Sequence, residues 1–197
     1  MRRIRIQTAE LRAKNGVVGS VIALAAWLTL GLGTTTALAR PSVELKDEGM
    51  PASAVNIHIQ TTTGPECMEE EHGSVATNGK PTDKLSFEAP FVHICEQAGE
   101  PPLAGTVTQA TYNTAGTLKL KASPKLAVTM PGPCVYGFSK LVFQVPVGQE
   151  LAPQGTQTGK LNKGSSQPGC AKTSTIGFLI QIYGSTSNRF LKGELIG

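Results

Sequence analysis

The chain has 197 residues, 40% hydrophobic and 5% aromatic, with 18 basic and 14 acidic residues and a formal net charge of +4. Five of the basic residues and one acidic residue fall within positions 1–39, so the remainder carries no net charge. That balance gives no support to a nucleic-acid-binding domain, which needs clustered excess Lys and Arg.

Positions 1–39 read as a secretory signal peptide. Arg2, Arg3, Arg5, Arg12 and Lys14 form a basic lead, "VVGSVIALAAWLTLGL" forms the apolar stretch, and Ala37-Leu38-Ala39 is a small-x-small cleavage site, with cleavage expected after Ala39. The stretch is short of the roughly 20 apolar residues a membrane span needs. Membrane attachment is therefore expected only through this segment if it stays uncleaved. Positions 40–53 are charged and patternless, and are expected to form a flexible lead to a single domain over 54–197.

From Val55 onward the apolar residues alternate. In "AVNIHIQ", Val55, Ile57 and Ile59 point one way and Asn56, His58 and Gln60 the other; "GTLKLKAS", "KLAVTM" and "KLVFQV" repeat the pattern. A period of two means strands with one buried face. "TIGFLIQIYG" is more continuously apolar and suits a central strand. Asn78-Gly79, Ala115-Gly116, Pro131-Gly132-Pro133, Val147-Gly148 and Pro168-Gly169 mark turns between the runs. The expected fold is all-β: an antiparallel β-sandwich or small β-barrel, preceded by the signal-peptide helix.

Between the first strands lies "GPECMEEEHG", followed by "FVHICEQ". The expectation for the first is a solvated acidic loop tied down at Cys67. Cys67, His72, His93 and Cys95 have the donor types of a zinc site, but no close CxxC pair is present. Met68, His72 and His93 would suit a softer metal such as copper. Glu69, Glu70 and Glu71, being consecutive, point to alternate sides of an extended chain and cannot converge on calcium. No metal site and no cofactor are expected. The four cysteines (Cys67, Cys95, Cys134, Cys170) are an even set in a chain read as exported, which favours disulfides. Three pairings are open; pairing sequence neighbours would close loops of modest size.

Catalysis finds little support. There is no GxSxG elbow. His58, His72 and His93 are the histidines of the chain, with His58 on an expected solvent face, and Glu150 and Glu194 are the acids after position 100. Residues 40–100 hold four basic and eleven acidic residues; 101–197 hold nine and two. Compensation of one half by the other within one domain is the expected reading.

The segments "MPGPCVYGFSKLVFQV" and "TGKLNKGSSQPGCAKTSTIGFLI", within roughly residues 117–183, resemble small exported all-β proteins of actinobacterial type that have no assigned activity. The resemblance implies a Cys134–Cys170 disulfide and an extracytoplasmic β-domain. It carries no functional residues and leaves the acidic first half without a counterpart, so any special function is expected there. The expected role is a secreted or cell-envelope-associated, non-catalytic binding or structural module, with an envelope component or a protein as partner. The alternative is a metal- or carbohydrate-binding accessory protein using the acidic 66–96 region.

Overall fold

The computed structural model describes residues 40–63, 67–88, 90, 92–95 (backbone only), 103–132, 134–164 and 166–197. Positions 1–39, including the expected cleavage site at Ala37 and Ala39, lie outside them. The described residues form strands and no helix. The first seven are β1 (Ser42–Asp47), β2 (Met50–Pro51), β3 (Ala54–Thr61), β4 (Cys67–Thr77), β5 (Thr82–Phe87), β6 (Val92–Cys95) and β7 (Leu103–Ala104). The chain continues through β8 (Val107–Asn113), β9 (Thr117–Met130), β10 (Cys134–Gln144), β11 (Gln154–Leu161), β12 (Thr173–Gly184) and β13 (Lys192–Ile196).

The large sheet runs β10-β11-β12-β3-β4-β5-β8-β9, with every pairing antiparallel. β9 pairs in turn with β10, so the hydrogen-bonded path returns to its start. β6 pairs with the first half of β4 and β7 with the far end of β9, where β5 and β8 do not reach. β12 takes the central place expected of it, between β11 and β3.

The alternating residues line the interior. Ile57 and Ile59 of β3, Leu85 of β5, Tyr112 of β8, Leu118 and Leu120 of β9, and Ile176, Phe178, Ile180 and Ile182 of β12 are fully buried. Each such side chain contributes about 1.5–3 kcal/mol on leaving water. "GTLKLKAS" and "KLAVTM" belong to one long strand, β9, whose register against β10 slips between Phe138 and Lys140. At the Ala115-Gly116 turn, Gly116 has φ +70° and a Cβ there would meet the Val145 carbonyl, which explains glycine at that position. A disulfide joins Cys134, at the start of β10, to Cys170, in the connection before β12. It staples the two strands that flank β11.

The expected lead over 40–53 is instead structured. β1 pairs with β13 and β2 in a separate three-stranded sheet, and Val43 and Leu45 are fully buried. With Ala52 these are the buried apolar residues of the segment, too few to register as a periodic pattern. Asn78 completes the attachment: its Oδ1 accepts from the Leu45 N–H at 2.7 Å and its Nδ2 donates to the Leu45 carbonyl at 2.9 Å. The Asn78-Gly79 turn thus acts as a side-chain partner for β1. On the same sheet Gly193 lies against the Tyr112 ring, whose hydroxyl donates to the Val145 carbonyl at 2.8 Å.

Replacing Asn78 by Ala strands the Leu45 N–H away from solvent. The expected cost is about 1–3 kcal/mol in urea unfolding, whereas a free lead over 40–53 would make the substitution neutral.

Candidate functional site

The acidic segment is a strand, and this corrects the expected loop. Its alternation sorts the residues: Cys67, Glu69 and Glu71 of β4 point inward, while Met68, Glu70 and His72 point outward. Pairing with β3 places Glu69 opposite Ile59 and Glu71 opposite Ile57. Both inward carboxyls are nearly inaccessible, at 2% and 0% exposure. Glu71 has a local task. The Val107 N–H lies just before the β5–β8 ladder begins, and Glu71 Oε1 accepts it at 2.9 Å. Burial pushes the Glu69 carboxyl up to about 7. Burial, only partly offset by the Val107 hydrogen bond and reinforced by the Glu69 charge, pushes Glu71 up to about 8.

On the outer face the same strand behaves oppositely. β3 and β12 place His58 and Tyr183 beside Glu70. Tyr183 donates its hydroxyl to Glu70 Oε1, and His58 Nε2 lies 2.8 Å from Glu70 Oε2 and 2.6 Å from the Tyr183 hydroxyl oxygen. Asn56 Nδ2 also donates to Glu70 Oε1, at 3.3 Å. Asn56 Oδ1 can only accept, so His72 donates to it from Nδ1, at 2.7 Å. Partial burial alone would raise the Glu70 carboxyl. The Tyr183 and His58 hydrogen bonds and the charges of His58 and His72 outweigh it and hold Glu70 below the usual value. Tyr183 is pushed far above the ordinary phenol range, by burial first and then by donating to Glu70. Its proton is held, so Tyr183 serves as a hydrogen-bond donor to Glu70.

His58 and Tyr183 meet edge to face, with ring centroids 4.8 Å apart. With Gln181, Asn188 and Phe190 they line a shallow groove of about 260 Å³. The expected solvent face of His58 is thus a partly buried polar network. Tyr183, Phe190, Gln181 and Asn188 come from the C-terminal half, so the site is not confined to the acidic first half. Nothing local in the sequence marks them; only the β12–β3–β4 register brings them together.

The metal candidates are separated. Cys67 faces inward and is disulfide-bonded. Met68 and His72 share the outer face but stand four residues apart, about 13 Å along a strand. β6 sets the Cys95 backbone opposite Cys67 and that of His93 opposite Glu69; the side chains of residues 92–95 lie outside the described residues. Among the described residues, no three His, Cys, Asp or Glu side chains are grouped to hold a metal ion.

The two buried carboxyls give a signed pH dependence. Each folded-state value lies above the ordinary carboxyl range, so their contribution is complete below about pH 4.5 and fades as pH rises through 7 and 8. Thermal unfolding should show the protein losing stability between pH 5 and 8, on the order of a few kcal/mol. Glu71→Gln should flatten that decline; an unchanged slope would show that Glu71 is not buried as a neutral acid. No family model, curated protein or solved structure matches the chain.

Proposed function

We propose that the protein is an extracytoplasmic, non-catalytic binding module of the cell envelope, and that it takes its ligand on the outer face of β12, β3 and β4. The observation that carries this reading is the groove beside the His58–Glu70–Tyr183 network. Its polar side chains are already fixed by one another, so binding there would cost little further ordering. The space enclosed by the circuit of strands is filled by side chains, which favours the outside as the place for a ligand. The Cys134–Cys170 disulfide is consistent with an oxidising compartment outside the cytoplasm.

A specific observation favours the carbohydrate form of the alternative. The groove combines two aromatic rings, Tyr183 and Phe190, with two amides, Gln181 and Asn188. The Phe190 ring can cover the apolar face of a sugar while the amides bind its hydroxyls; Tyr183, only 7% exposed, contributes to the lining. The 66–96 region contributes Glu70 to this arrangement by holding Tyr183 and His58 in place.

The test is co-sedimentation of the purified protein with envelope material of the producing organism. Phe190→Ala and Tyr183→Ala should each reduce retention by about tenfold, as for loss of an interface aromatic, while leaving the unfolding midpoint of Phe190→Ala within about 1 kcal/mol of the parent. Retention that survives both substitutions, or no retention of the parent protein, would contradict the reading.

A further inference from the structure

The face formed by β5, β8, β9 and β10 lies elsewhere on the circuit. Strand register arranges its outward residues in two cross-strand rows. One reads Lys84, Thr111, Lys119, Val142; the other reads Ser86, Gln109, Lys121, Lys140. Four of these eight positions are lysine and none is acidic. Asp83 of β5 faces inward, and Glu88, one residue past the end of β5, is the first outward carboxylate beyond Ser86. None of the four lysines has an ion-pair partner among the described residues. The opposite holds at the three-stranded sheet, where Lys46 meets Glu194 at 2.7 Å and Arg189 meets Glu48 at 2.8 Å.

Folding does not account for this arrangement. Lys121 sits directly opposite Lys140 across the β9–β10 pair, and like charges in that position destabilise a sheet. Lysines are common on edge strands, where they block unwanted pairing. Here β9 is paired on both sides where Lys119 and Lys121 lie, so edge protection is not what those two provide. By contrast, β10 meets β11 only at Tyr136 and Gly137, and Lys140 lies past that pairing. The register slip beside Lys140 turns Ser139 outward as well, adding a hydroxyl to the same surface. Gln109, Thr111, Lys119, Lys121, Ser139 and Lys140 enclose a depression of about 340 Å³.

We infer that this face binds a linear acidic polysaccharide laid across the four strands. The lysines would meet its carboxylates, and Gln109, Thr111 and Ser139 its hydroxyls. Neighbouring strands are about 4.8 Å apart and alternate residues about 6.8 Å apart, which sets Lys119, Lys121 and Lys140 close together on β9 and β10 and Lys84 two strands away on β5. The two rows contain no aromatic on which unpaired nucleic-acid bases could stack. They also lack the large apolar anchors of a membrane-surface element. The inference supplies a partner class for the proposed envelope module and rests on that reading only for its cellular setting, because the two surfaces use different strands.

Calorimetric titration with polygalacturonate tests it, with neutral dextran, poly-dT and vesicles of equal parts phosphatidylglycerol and phosphatidylcholine as comparators. The protein should bind polygalacturonate with an affinity that falls as salt rises, and should leave dextran unbound. Lys119→Gln, Lys121→Gln and Lys140→Gln combined should weaken binding by about tenfold or more. Lys121→Glu alone should weaken binding while leaving the melting temperature equal or higher, because it places opposite charges across the β9–β10 pair. Tyr183→Ala should leave polygalacturonate binding unchanged, which separates failure here from failure of the groove reading. The inference is overturned by an absence of polygalacturonate binding, by binding indifferent to the lysine substitutions, or by poly-dT or vesicles binding equally well through the same lysines.

Discussion

Pairing of β9 with β10 is the constraint on which the other features depend. With β10 also bonded to β11, the circuit of strands has an inside and an outside, and each residue of a strand is assigned to one or the other by its parity. Isoleucines from β3 and β12 and leucines from β5 and β9 fill the inside. The ends of the circuit are handled separately. Asn78 ties down β1 at one point, and the Glu71 carboxyl takes up the Val107 N–H where β8 starts beyond the reach of β5.

β4 makes the consequence of parity plain. Its three successive glutamates have the same side chain and different chemistry. Glu69 and Glu71 are inside and hold their protons near neutral pH, while Glu70 is outside, ionised, and surrounded by donors. The outer glutamate organises His58, Tyr183 and, through Asn56, His72 into a fixed surface. The core and the outer polar network are thereby linked through one strand: a register slip of one residue would place Glu70 in the core and dissolve the groove.

Much of the fold was legible because strand parity is written locally. The alternation in 55–59, 118–120 and 141–145 and the apolar run at 176–183 all correspond to strands with the expected inward faces. The Cys134–Cys170 bond, implied by resemblance, is present. Two segments misled for physical reasons. In 40–53 the burial rests on Val43, Leu45 and Ala52 and on a distant asparagine, which together make no pattern. In 67–72 two of the three inward positions are carboxylates, so hydrophobicity gave a loop where extended geometry gives a strand. The groove was not legible at all. His58, Glu70 and Tyr183 lie on separate strands, and Tyr183 is more than a hundred positions from either partner.

Carbon-13 NMR titration of the glutamate carboxyls tests the central claim, that β4 is a strand in a closed circuit with alternate glutamates on opposite sides. Glu71 should titrate at about 8, Glu69 at about 7, and Glu70 below the ordinary glutamate value. Three carboxyls titrating together in the ordinary range would describe a solvated loop and contradict the account.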